Sequence, residues 1–303
     1  MPDDRRPERR VPCIPAPGER IPLLIDTDAG CEIDDQYAIA LAVHSPERFD
    51  IQGFAASHFR DQPDSIDRCA EEIERVLDLS GMAGRWPVTK GGPPLQWRSV
   101  PNECEATDFI VERAMAHTPE SPLWIVILGG TTNTVSAYLT EPRIAERVRV
   151  LFHGRTQFWP LKAWNNNVDI DLRATQVLFK SDLPLVLFDT GTYLRVSKEE
   201  TEARLAPRGR IGAYLHEIRM SNPYRQSMQK GFFDLGDIAF LCDPALGESE
   251  ETDIPAIGMD CMLQWGTTYG RGIRVYDIDR TGTWELLFRT LAKHDPGEDT
   301  PHV

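Results

Sequence analysis

The sequence predicts a single α/β domain with a largely parallel central sheet flanked by helices and a smaller C-terminal elaboration. Three observations predict it. Short continuous apolar runs, such as LWIVIL at 123–128, have the length and β-branched content of strands buried on both faces. Other segments carry apolar residues at helical spacing: over 64–79, Ile66, Cys69, Ala70, Ile73 and Val76 share one side. The two kinds alternate along most of the chain, as they must when crossover helices join parallel strands.

The elements follow in order. A strand at 21–26 ends in an acidic residue and leads to a helix at 34–44; a strand at 50–57 leads to the helix at 64–79. A helix at 107–116 precedes the 123–128 strand, and a helix at 132–139 precedes a strand at 148–153. A helix at 171–180 and a strand at 184–188 complete the alternation. Helices at 197–205, 211–220 and 236–241, strand-like runs at 254–263 and 273–278, and a helix at 284–292 form the remainder. Residues 1–19 are charged and Pro-rich and read as a disordered tail, with Arg5, Arg6, Arg9 and Arg10 in solvent. Residues 296–303 read as a second tail, which leaves 20–295 as the domain.

A net charge of −14 disfavours nucleic acid, because phosphate binding needs a basic face. No apolar run approaches the length of a membrane helix, and mean hydropathy is −0.36, so no membrane partner is expected. The N-terminal segment lacks the apolar core of a secretory signal. The six cysteines are scattered and form no CxxC pair, which points to reduced thiols and a cytoplasmic setting.

The segment LLIDTDAGCEIDDQYAIALA places Asp26, Asp28, Glu32, Asp34 and Asp35 within ten residues at a strand-to-helix turn. Capping of the helix accounts for one or two of them. Five acids converging on one turn repel and resist ionisation unless a cation sits between them. Hard oxygen ligands suit Mg²⁺ or Ca²⁺, and Ca²⁺ is favoured by a larger, looser ligand set.

DTDAGCEIDDQYAIALA resembles the N-terminal signature of the nucleoside hydrolases, Asp-x-Asp-Pro-Gly-x-Asp-Asp-Ala before a helix. IVILGGTTNTVSAYLTEPRI, NNNVDIDLRATQVLFKSDLPLVLFD and FFDLGDIAFLCDPAL are similar to later segments of the same family, in the same order. The resemblance implies a Ca²⁺-dependent hydrolase that cleaves the N-glycosidic bond of a nucleoside or related ribosyl compound. It implies that Asp28, Asp35 and Asp234 ligate the ion by side chain and that Leu128 does so by its backbone carbonyl. Asp28 would also take a proton from the attacking water, and Asp34 and Asn167 would hold sugar hydroxyls. A homo-oligomer, dimer or tetramer, is expected.

The sequence departs from the family at several points. Two extra residues separate Gly30 from the Asp34–Asp35 pair, so the loop must bulge. Asn165 stands where the family commonly has a glutamate that binds the 5′-hydroxyl, and Trp159 stands near a usual asparagine. Phe233 replaces a histidine proposed to protonate the leaving base, so the proton must come from elsewhere. His58 is the first candidate and His153 the second, because each ends a predicted strand on the ligand side. Trp159 and Trp164 flank the 165–167 asparagines and suit either core packing or stacking on a ring.

Two other readings compete. A phosphatase of the haloacid dehalogenase type would use Asp26 as nucleophile, Asp28 as acid/base, Thr131 or Thr132 on phosphate, Lys180 as counter-ion, and Asp237 and Asp243 on Mg²⁺. It leaves Asp34 and Asp35 without a task. A non-catalytic Ca²⁺-dependent sugar-binding protein is the other, and its difficulty is that a binder needs no base at Asp28.

Overall fold

The computed structural model describes residues 9–59, 62–154 and 158–293. The chain runs β1 (Ile21–Thr27), α1 (Asp34–Val43), β2 (Phe49–Ala56), α2 (Ser65–Leu79), β3 (Val88–Lys90), α3 (Glu105–Met115), β4 (Leu123–Ile127) and α4 (Thr132–Thr140). It continues with β5 (Val148–Phe152), α5 (Asn166–Ile170), α6 (Leu172–Lys180), β6 (Leu185–Phe188), α7 (Lys198–Arg204), α8 (Gly209–Met220) and α9 (Pro223–Gln226). It closes with α10 (Phe233–Cys242), β7 (Gly247–Ile257), β8 (Leu263–Ile278) and α11 (Arg280–Lys293). The strands form one sheet in the order β3-β2-β1-β4-β5-β6-β8-β7. Every neighbouring pair is parallel except β7 with β8.

The apolar runs form strands because both of their faces are covered. On β1, Leu23 and Ile25 enter one core while Leu24 enters the other; on β4, Trp124 and Val126 oppose Leu123, Ile125 and Ile127. Helices α1, α2, α8, α10 and α11 cover the first face, and α3, α4 and α6 the second. Every residue of α1 is buried, so it has no polar stripe, whereas α2 buries one face only. Among the described residues no helix is long and apolar enough to cross a membrane.

Two expectations are corrected, and three short elements are added. The run at 254–263 is not one strand: it ends in β7 and turns over 258–262 into β8. Ile257, Met259, Cys261 and Leu263 keep a period of two through the turn, which hides it. Gly258 N–H bonds the Met262 carbonyl at 2.9 Å, and the Asp260 carboxylate accepts from Met262 N–H at 3.0 Å. The C-terminal elaboration is therefore a long hairpin whose β8 joins the main sheet beside β6.

The N-terminal tail is ordered from within its expected span. Arg9 is 4% exposed. Its guanidinium donates to the carbonyls of Leu178, Phe179, Ser181 and Leu183 at 2.7–2.9 Å. The last carbonyls of a helix lack intrahelical donors, and Arg9 supplies them at the end of α6. Arg5, Arg6 and the 296–303 tail lie outside the described residues. Finally, β3, α5 and α9 are too short to show a period, and the sequence reading missed them.

From β1 the chain builds outward to β2 and β3, then returns to place β4 on the other side of β1. In such open sheets ligands bind beyond the carboxyl ends of the strands where the order reverses. Asp28, Leu128 and His153 follow the ends of β1, β4 and β5.

Candidate active site

A cavity of about 250 Å³ opens at this place. The β1–α1 turn lines it with Asp28, Cys31, Glu32, Asp34 and Asp35; Leu128, His153 and the asparagines 165–167 form another wall, and Tyr224, Lys230, Phe233 and Asp234 close it. The turn is tight. Gly30 has φ +93°, a left-handed conformation that favours glycine, and Cys31 N–H bonds the Asp28 carbonyl at 2.9 Å. Gly129 lets the end of β4 approach, since a Cβ there would meet the Asp28 Cβ at 2.8 Å.

Asp34 and Asp35 are the first residues of α1, whose N-cap, Ile33, makes no side-chain cap bond. Capping therefore does not explain them, although the helix dipole favours their charge. Asp35 accepts from the Thr27 hydroxyl. Asp34 accepts from Lys230 Nζ at 2.7 Å and from Phe233 N–H at 3.0 Å. Burial pulls the Lys230 ammonium pKa down, but the charge and hydrogen bond of Asp34 lift it above its ordinary value.

Burial, then the charges of Asp35 and Asp34, raise the Asp28 pKa well above the carboxylate range. Burial, then Asp34 and Asp35, do the same to Asp234. Burial and Asp34 raise Asp35 to about 6. Asp35 and Asp234 are close neighbours, and like charges so placed resist ionising together. Three buried carboxylates from two distant segments, short of donors, suit a hard divalent cation. Leu128 is in place to add its carbonyl, which Asn167 Nδ2 also reaches, together with the His153 carbonyl at 3.1 Å.

His153 Nδ1 hydrogen-bonds Asp237 Oδ2 at 2.7 Å and lies 3.9 Å from Asp234 Oδ1. Asp237 is fully buried, and burial, opposed by His153, lifts its pKa to about 6. His153, Asp234 and Asp237 hold one donor atom each within 4.8 Å of one another, close enough to share a metal ion. The short His153–Asp237 bond already engages two of these groups, and Ca²⁺ prefers oxygen.

Several sequence candidates do not reach the cavity. Asp26 is enclosed by Ser57, Asn133 and Thr134, so only four of the five clustered acids line the site. His58 is absent from the lining: Nδ1 lies 3.0 Å from the Gly92 carbonyl, Nε2 lies 3.5 Å from that of Ile170, and burial lowers its pKa. The ring thus sits between the Gly92 loop and the end of α5. Trp159 turns to the hairpin, packing edge-on against Trp265 at 5.1 Å, with the Arg274 guanidinium 5.0 Å from its ring. Trp164 is 49% exposed and lies under Lys162 rather than in the cavity. Asn165 does line it, yet its Oδ1 caps α5 by accepting from Val168 N–H at 2.8 Å. The phosphatase constellation is not assembled. Asp26 is sealed, Thr132 bonds Asp171, and Lys180 lines a separate cavity.

Lys230, Tyr224 and Cys31 are site residues that sequence reasoning missed, and Asp237 entered it only through the phosphatase reading. Cys31 donates its thiol to Asp28. Lys230 had one signal, a cation four residues before a proposed ligand, and Asp237 had one, an acid a helical turn after it.

Residues 23–284 match the sequence pattern of the inosine-uridine preferring nucleoside hydrolases. The chain belongs to this family. It is 25% identical over 320 residues to the pyrimidine-specific ribonucleoside hydrolase RihA of Citrobacter koseri, covering 90% of this chain and 98% of that protein. It is 23% identical over 267 residues to the inosine-uridine preferring nucleoside hydrolase of Crithidia fasciculata, covering 77% and 82%. The fold matches the plant nucleoside hydrolase PpNRh1 with a TM-score of 0.74 at 17% identity, over 90% of this chain and 99% of that one. It matches a purine-preferring ribonucleoside hydrolase from Gardnerella vaginalis with a TM-score of 0.73 at 16% identity, over the same shares. As a nucleoside hydrolase, the protein is an N-glycosyl hydrolase that cleaves the bond between base and sugar. Within the family it is divergent, at 23–25% identity to these curated relatives.

Proposed function

We propose that this nucleoside hydrolase works with one Ca²⁺ held by Asp28, Asp35, Asp234 and the Leu128 carbonyl. The observation that carries the reading is the convergence of those three buried carboxylates on one cavity. The bound ion would supply a fixed positive charge that orients the attacking water and makes it more acidic. Asp28 takes that water's proton as its oxygen bonds the anomeric carbon. Asp34 and Asn167 hold sugar hydroxyls, and the surrounding carboxylates stabilise the positive charge that develops on the ring. The bond from carbon to base nitrogen breaks, and its electron pair stays on the base.

The base leaves more easily when protonated. His58 bonds the Gly92 carbonyl and is not among the residues lining the cavity, so His153 is the proposed donor. Its ring lies 6.0 Å from that of Phe233, centroid to centroid, beside the position where the family histidine would stand. Asp237 engages Nδ1, so Nε2 is the atom left to meet substrate. Oligomeric assembly belongs to the same proposal, as does a cytoplasmic setting, which is supported by six cysteines with no disulfide among them.

Elemental analysis of the purified protein is expected to show calcium near one equivalent, and a nucleoside panel is expected to release reducing sugar. A metal-free protein whose Tm ignores added Ca²⁺ would overturn the calcium reading. Removing His153 should slow a nucleoside with a poor leaving base by about 10² or more and barely affect an activated aryl riboside. Equal effects on both would remove His153 from the acid role.

A further inference from the structure

Lys230 has no task in the reaction just described, yet it is 1% exposed and its ammonium lies at the cavity wall. It bonds Asp34 Oδ1 at 2.7 Å, and Glu32, from the lengthened β1–α1 turn, is 3.8 Å away. The stem is held in place, with Nζ 5.6 Å from the Phe232 ring centroid and 5.4 Å from that of Phe233. The other oxygen of Asp34 accepts from Phe233 N–H. The residue proposed to read the sugar hydroxyls is therefore satisfied on both oxygens before any sugar arrives.

This matters because of where hydroxyl specificity comes from. A buried carboxylate that depends on a substrate hydroxyl is left unpaired when the hydroxyl is missing, and such sites reject the deficient analogue by about 10⁴ to 10⁵. A carboxylate already paired with an ammonium and a backbone N–H is not left unpaired. Each of its oxygens still has a second lone pair, so a hydroxyl is accepted when present.

We infer that Lys230 is a specificity-determining residue that relaxes discrimination at the hydroxyls read by Asp34, so that the substrate class includes nucleosides of deoxy sugars. The inference rests on the proposed role of Asp34. Its test is the ratio of kcat/KM for a ribonucleoside and for its 2′- and 3′-deoxy counterparts with the same base. For the wild-type holoenzyme the smaller of the two ratios is expected within about tenfold, and a value above about 10³ for both would overturn the inference. Lys230→Met leaves Asp34 Oδ1 without its donor and should raise that ratio by about tenfold or more, mainly through the deoxy substrate, while Lys230→Arg should keep it low. The intrinsic lability of the deoxy sugar cancels when variant and wild type are compared. An unchanged ratio in folded Lys230→Met overturns the inference and leaves the hydrolase reading intact. Absence of sugar release from every nucleoside overturns both. The wild-type ratio decides the matter even if Lys230→Met fails to fold.

Discussion

Asp26 and Asp28 stand two residues apart, both buried, in opposite surroundings. Asp26 accepts from Ser57 Oγ at 2.7 Å, Thr134 Oγ1 at 2.8 Å, Asn133 Nδ2 at 3.0 Å and Thr134 N–H at 3.3 Å. All are neutral donors. Burial still raises its pKa, and those bonds hold the rise in check. Asp28 has the Cys31 thiol and its own backbone N–H as donors, and the charges of Asp35 and Asp34 beside it. A carboxylate ringed by donors needs nothing more and ties β1 to β2 and α4. A carboxylate ringed by carboxylates is stable only with a proton or a cation. The comparison separates a structural acid from a chemical one, although both occur in the same short acidic segment.

The widest gap is expected in turnover. Asp28→Asn should lower kcat by about 10³ with the fold intact, whereas Asp26→Asn should cost less than about tenfold in molecules that fold. Equal losses would break the comparison. Calorimetry with added calcium sharpens it: Asp35→Asn should lose the ion that Asp26→Asn retains.

Stability should respond the other way round. Asp26→Ala takes the acceptor from Ser57 Oγ, Thr134 Oγ1 and Thr134 N–H in the interior, while Asn133 Nδ2 keeps the Ala56 carbonyl and Ser57 Oγ, and it is expected to cost about 3 kcal/mol in urea unfolding. Asp28→Ala removes a repelling charge and should leave the metal-free protein as stable as before or more so.

A smaller effect follows from pH. Asp35 and Asp237 are raised from an ordinary 3.8 to about 6, by burial first, with Asp34 also raising Asp35 and His153 opposing the shift at Asp237. Both bind a proton more tightly folded than unfolded. The stability this gives is complete below about 4 and is lost as pH rises through about 6. Metal-free protein should therefore melt at a higher temperature at pH 5 than at pH 7.5, by on the order of 5 °C. Saturating Ca²⁺ should remove most of the difference, and a Tm that rises with pH in the absence of metal would contradict the account.

The smallest effect concerns the histidines. His58→Ala should leave kcat within about threefold, because the ring bonds loop carbonyls and not substrate, while His153→Ala should not be silent.

Much of the fold was legible because its causes are local. Strands buried on both faces show as unbroken apolar runs, and α2 shows its one buried face. The hairpin turn at 258–262 was not legible, since apolar alternation continued through it. The segment before β1 misled for another reason: a Pro- and Arg-rich stretch has the composition of a tail, and only the end of α6 gives Arg9 something to bind. Within the site, the acids were visible as a cluster, but their division was not. Asp26 looks like Asp28 until Ser57, Asn133 and Thr134 are placed around it.

The sequence by itself determined the order of strands and helices, the acidic turn after β1, and the motifs that align it with one family. Those properties are carried by neighbouring residues and by periodicity, which a chain keeps whether folded or not. Tertiary structure decided that His153 is backed by Asp237, 84 residues away, and that Asp34 is paired with Lys230, 196 residues away. It also decided that His58 and the tryptophans face elsewhere. Such pairings depend on which strand ends the sheet order brings together and on how little room a buried charge has without a partner. No local pattern records either.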